Sequence, residues 1–188
     1  MITTLIFNLD GILIDLCKIH KKVFCEALLR IGGLSVSTYC YDNYLEGLPT
    51  RTKLQKIGIN GRTAIDVEDL KQNLTLEEIK KIQEDIQLRE ILLELSNDFD
   101  LFCVSDSINK TTEIVLKNLN IIDLFQAYYG NDNVFCSKPS PEIYLKCMVQ
   151  TPAMPEDTLG IESSLVGQET IKNVGCHGLV LKNREELT

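Results

Sequence analysis

The sequence predicts an α/β fold: a parallel, Rossmann-like sheet with helices on both faces and a mostly helical subdomain inserted after the first strand. Three observations carry this expectation. Short, continuous apolar runs of strand length recur along the chain, the pattern of parallel strands covered on both sides. Helical periodicities separate them, which is the alternation that βαβ units require. The stretch from about residue 16 to 87 breaks the alternation, with helix signals and almost no strand signal.

Taken in order, the strand candidates are Thr3 to Leu9, Asp100 to Val104, Thr158 to Ile161 and Gly178 to Leu181. Ile19, Val23, Ala27, Leu28 and Ile31 recur at helical spacing, and Gly32-Gly33 closes that helix. Thr75-Leu76-Glu77-Glu78 reads as the opening of a charged helix through Leu95, with Ile79, Ile82, Ile86, Ile91 and Leu95 on its apolar side. Thr112 to Leu119 and Pro141 to Met148 show similar periodicity. In the second, Ser140 is the expected cap, Pro141 the first helical position and Glu142 an acid in the first turn. The expected organisation is a core of residues 1–15 plus 88–188 and a helical cap of residues 16–87 over the sheet's carboxyl edge.

Composition excludes several function classes. The 188 residues are 44% hydrophobic with only 5 prolines, enough for a buried core. Nineteen basic against 27 acidic side chains leave a net charge of −8, so a nucleic-acid partner is not expected. No apolar run approaches the ~20 residues of a membrane-spanning helix, and no membrane partner is expected. Met1 to Phe7 lacks a basic flank and runs into Asp10 and Asp15, so it reads as a strand rather than a secretion signal. The 7 cysteines include no C-x-x-C pair, and His20 and His177 are the only histidines, a spacing that supports neither a zinc site nor a disulfide framework. Reduced thiols packed as small hydrophobes imply a cytoplasmic setting.

Four segments stand just past strand ends, where open α/β sheets bind ligands. Phe7-Asn8-Leu9-Asp10-Gly11 ends the first strand in two polar side chains two apart, which point the same way in an extended segment. Val104-Ser105-Asp106-Ser107 clusters hydroxyls after the second run. Cys136-Ser137-Lys138-Pro139-Ser140-Pro141 places a lysine at a helix start, and Gly160-Ile161-Glu162-Ser163-Ser164 is followed by Gly167.

In these residues the chain resembles the haloacid dehalogenase superfamily, specifically its phosphomonoesterase branch with a helical cap. Members usually begin D-x-D-G-x-x-x-D, then place a hydroxyl residue, a lysine and an acidic pair after successive strands. Asp10, Gly11 and Asp15 match the first motif, Ser105 the second and Lys138 the third. Glu162, Ser164 and Gly167 match the fourth, usually E-D-S-x-x-G. Glu46-Gly47-Leu48-Pro49-Thr50-Arg51 looks like the loop that helical caps present to substrate. The resemblance implies phosphate contacts from Ser105 and Lys138, a substrate contact from Arg51, and a phosphorylated small molecule, such as a sugar phosphate, as ligand.

The departures from that pattern bear on chemistry. The family's first aspartate is the nucleophile that becomes an aspartyl-phosphate, and Asn8 stands there. The resemblance implies Mg2+ held by that nucleophile, by the backbone carbonyl at Asp10 and by an aspartate where this chain has Ser163. Magnesium normally takes one or two carboxylates, so its binding at Asp10, Glu162 and Ser163 is expected to be weak or absent, with Glu162 the alternative ligand that could swing in as a substitute. Asp106 stands beside the phosphate site, where the family typically has asparagine, and would repel a phosphate dianion unless Lys138 or a metal neutralises it. Asp10, a general acid/base in active relatives, is expected to hold loop amides here.

Two readings follow. One is a degenerate phosphatase homologue that binds a phosphorylated small molecule or serves as a regulatory module. The other is an active Mg2+-dependent phosphomonoesterase, or a form of one trapped by a single aspartate-to-asparagine change at residue 8. The sequence leaves oligomeric state open.

Overall fold

The computed structural model describes residues 1–182 and 184–187. The chain divides into two compact units: Met1–Leu16 together with everything from Ile82 onward, and Cys17–Lys81.

In the first unit, β1 (Thr4–Asn8) is buried at every position, as a central strand of apolar residues should be. The other elements of this unit, with helix numbers running on from the four helices of the second, are α5 (Ile86–Leu95), β2 (Asp100–Val104), α6 (Asn109–Asn118), β3 (Ala127–Tyr129), α7 (Glu142–Met148), β4 (Thr158–Glu162), α8 (Leu165–Val174) and β5 (His177–Val180). The five strands form one parallel sheet in the order β3-β2-β1-β4-β5. The sheet and its helices are the expected α/β architecture. Ile6, Phe102 and Val104 meet Ile143, Tyr144 and Cys147 of α7 and Ile171 of α8 in a buried cluster on one face. Phe7 points to the other face and meets the Phe125 ring edge-on at 6.2 Å.

The second unit consists of α1 (Cys17–Gly32), α2 (Thr38–Cys40) running into a π turn at Tyr41–Leu45, α3 (Thr50–Lys56) and α4 (Gly61–Ile79). Phe24, Ala27 and Leu28 of α1 pack with Tyr41, Leu45, Leu54, Ala64 and Val67 as this unit's own core.

Two sequence expectations change. The single helix from Thr75 to Leu95 is two helices. Thr75 lies inside α4, its hydroxyl donating to the Lys71 carbonyl at 2.8 Å, the back-bond that lets threonine sit mid-helix. Asp85 caps α5 instead, accepting from the Leu88 amide at 3.0 Å. The second change is β3, which no apolar run announces. It is three half-buried residues on the sheet edge, paired only to β2. Among the described residues, no helix is long and apolar enough to cross a membrane.

Candidate functional site

Asn8 pairs with Val104, and Phe7 with Ile161, so the polar residues that follow β1, β2 and β4 meet at the sheet's carboxyl edge. Immediately after β1 the chain turns sharply. Gly11 has φ +88°, and a Cβ there would lie 2.3 Å from the Ser163 hydroxyl, so this close approach needs glycine. The turn aims the Asp10 backbone carbonyl at the edge. That carbonyl accepts from Asn8 Nδ2 at 2.8 Å and from the Ser163 hydroxyl at 3.4 Å. The Asp10 carboxylate accepts from the Leu16 amide at 2.8 Å. Burial raises the Asp10 pKa to about 6; the neighbouring Asp15 and Asp106 carboxylates push the same way, against bonds from the Leu16 and Gly11 amides.

Lys138 is the hub. Its ammonium donates to Asn8 Oδ1 at 3.1 Å and to Glu162 Oε1 at 2.5 Å, and Asp106 Oδ2 lies 3.9 Å away. The lysine side chain is 1% exposed and Glu162 is fully buried, whereas Asp106 is 59% exposed. Burial opposes the lysine's charge, but Glu162 and Asp106 together hold its pKa above the ordinary lysine value. Glu162 is pushed up by burial, and Lys138 pulls it back. The two bonds to Asn8 fix the orientation of its amide. An ammonium can only donate and a backbone carbonyl can only accept, so oxygen faces Lys138 and nitrogen faces Asp10.

The loop bearing Lys138 is held by its own helix. The Glu142 carboxylate accepts from the Phe135 and Cys136 amides at 2.8 and 2.9 Å, bonds that hold its pKa below the usual range. Asn173 Nδ2 donates to the Pro139 carbonyl at 2.9 Å. Ser105, buried at the end of β2, accepts from the Ser107 amide at 3.0 Å, which shapes the turn carrying Asp106. Ser164 caps α8 by accepting from the Gly167 amide at 3.0 Å.

The structure therefore brings Asn8, Asp10, Asp106, Lys138, Glu162 and Ser163 into one bonded group, with Ser105 beside it at the end of β2. Arg51 belongs to the helical unit, where its guanidinium pairs with Glu68. One participant escaped the sequence reading: the buried Tyr144 hydroxyl donates to Glu162 Oε1 at 3.2 Å. Gly167, already singled out by the fourth motif, leaves room for that carboxylate, since a Cβ there would lie 2.2 Å from it. The available signal was Tyr144's place six residues after Lys138, on the helix that loop opens.

Comparison with known proteins gives the family and the fold. The haloacid dehalogenase-like hydrolase family model matches residues 5–180. A phosphorylated carbohydrates phosphatase of Thermotoga maritima is 26% identical over 181 residues, covering 90% of this chain and 80% of that protein. Beta-phosphoglucomutase of Clostridium difficile superposes with a TM-score of 0.82 at 21% identity, over 100% of this chain and 94% of that one. CbbY of Rhodobacter sphaeroides, solved with phosphate, gives a TM-score of 0.82 at 19% identity, over 96% and 86%. An aspartate-to-asparagine variant of CbbY, solved with xylulose-(1,5)bisphosphate, gives 0.82 at 18% identity, again over 96% and 86%. With a family match across nearly its whole length, the chain belongs to the haloacid dehalogenase-like hydrolases.

Proposed function

We propose that this chain binds a phosphorylated small molecule, such as a sugar phosphate, at the carboxyl edge of its sheet and does not hydrolyse it. The observation that carries this reading is the Asn8 amide, bonded through oxygen to Lys138 and through nitrogen to the Asp10 carbonyl. A carboxylate at residue 8 would offer a charged oxygen to phosphorus; an amide offers a neutral oxygen already engaged by an ammonium, and no aspartyl-phosphate forms from it. Ser105, the loop amides beside it and Lys138 are the donors for the phosphoryl oxygens. The phosphate and bisphosphate complexes of CbbY, a fold relative, support a ligand of this class.

The residues present do not fit the magnesium ion that the family implies. A cation on the Asp10 carbonyl would meet the amide hydrogens of Asn8 and the hydroxyl of Ser163, both of which donate to that oxygen. Neither side chain brings the carboxylate that a hard, reluctantly dehydrated cation requires. Asp10 itself bonds the Leu16 amide and serves the loop.

The test is an assay of p-nitrophenyl phosphate and a sugar-phosphate panel with magnesium, comparing the chain with Asn8→Asp and with Asn8→Asp/Ser163→Asp. The reading expects no turnover by the unaltered chain or by Asn8→Asp, and gain only in the double variant. Metal-dependent turnover by the unaltered chain would overturn it. Full activity from Asn8→Asp alone would instead mark residue 8 as a single trapped position in a working phosphomonoesterase.

A further inference from the structure

We infer that the Lys138 ammonium is the resident cation of this site and that the pocket binds its anion without a divalent ion; the second half of this inference rests on the function proposed above. Three features of the geometry point to it. Lys138 already bonds two of the groups a cation at this edge would use, Asn8 Oδ1 at 3.1 Å and Glu162 Oε1 at 2.5 Å. The third, the Asp10 carbonyl, is occupied by the Asn8 nitrogen and the Ser163 hydroxyl. Each of these three oxygens therefore already accepts a hydrogen bond from the protein itself.

Glu162, the one acid left at the fourth motif, is committed to the lysine rather than available to a metal. Its Oε1 accepts from both Lys138 and Tyr144, while Oε2 is buried against Gly167 without a hydrogen-bond partner. The Tyr144 ring reaches this point over Gly160, where a Cβ would lie 2.8 Å from the ring. Tyr144 thus holds the glutamate toward the lysine, and Gly160 and Gly167 are the spaces cut for the tyrosine and for the glutamate. A carboxylate so enclosed cannot turn toward the Asp10 carbonyl without giving up two bonds and the space made for it.

Magnesium chloride is titrated calorimetrically into the unaltered chain and into Asn8→Asp/Ser163→Asp, with thermal melts of both in magnesium or EDTA. The inference expects no magnesium binding to the unaltered chain at millimolar concentration and no shift of its melt. The double variant is expected to gain about a hundredfold or more in magnesium affinity from two restored carboxylates. Inorganic phosphate is then titrated into the unaltered chain in either condition, and its Kd is expected to agree within about twofold. Submillimolar magnesium binding by the unaltered chain, or a phosphate affinity that rises severalfold with magnesium, would overturn the inference. Loss of phosphate binding in both conditions would overturn the proposed ligand class, and with it the anion half of this inference, while the magnesium titration alone still decides whether the site excludes the metal.

Discussion

Lys138→Met is the most informative single perturbation, because it strands a charge. Glu162 is fully buried, and its strongest bond is the one to Lys138 at 2.5 Å. Breaking a buried pair by removing one partner costs about 3–5 kcal/mol. For a chain of this size each kcal/mol moves Tm by roughly 2–4 °C, so the melt should fall by roughly 6–20 °C. Adding Glu162→Gln removes the stranded charge, and the Lys138→Met/Glu162→Gln double variant should recover most of the loss. A double-mutant cycle by urea unfolding reads the coupling directly. The sign of the pH response is also fixed. Burial already raises the Glu162 pKa, and without the lysine it rises further. The native state of Lys138→Met then holds a proton that the unfolded chain releases, so its deficit grows as pH climbs through the carboxylate range and shrinks in acid. A loss under about 1 kcal/mol, or single-variant losses that simply add, would refute the claim that these two side chains act as one unit.

Two further predictions concern the helical unit and a third the sheet. Burial, with help from Lys71 and Lys53, lowers the His20 pKa to about 3. Between pH 6.5 and 3 the unfolded chain takes a proton that the native one refuses, so stability should fall with pH in this window, and His20→Gln should flatten the slope. Lys53 is buried against Tyr41 and Phe24, its ammonium bonded to the Tyr41 hydroxyl at 2.7 Å, and burial lowers its pKa to about 8. Stability should therefore rise with pH from about 8 to 10.5 relative to Lys53→Met, which urea unfolding across that range will show; parallel curves would remove the buried ammonium from the account. Gly160→Ala places a methyl group 2.8 Å from both Ile171 and the Tyr144 ring. Overpacking of this kind typically costs about 1–3 kcal/mol, read as a lower melting temperature, and an unchanged melt would mean that the tyrosine sits elsewhere.

The sheet was legible because its central strands announce themselves. Asp100 to Val104 is a continuous run with turn residues on both sides, and the structure keeps both ends. Ala127–Tyr129 escaped because an edge strand of three half-buried residues needs no apolar run. The Thr75 boundary misled because a threonine two residues before paired glutamates looks like a cap, whereas the effective cap, Asp85, lies in a charged stretch where one more acid stands out from nothing. At the site, residue types were readable and their pairings were not. Glu162 and Ser163 are adjacent in sequence, yet one is buried on Lys138 and the other bonds the Asp10 carbonyl. Adjacent residues at a strand's end point to opposite sides, and only the space at Gly167 and the reach of Tyr144 determine which partner the glutamate takes.

The central claim is that an amide locked between Lys138 and the Asp10 carbonyl cannot accept a phosphoryl group. It is tested most directly by rapid-quench intact mass spectrometry of the unaltered chain after incubation with acetyl phosphate and magnesium. The account predicts an unchanged mass, with a phosphoryl adduct only in Asn8→Asp/Ser163→Asp. A phosphoryl group found on the unaltered chain and mapped to the peptide containing residue 8 would contradict it.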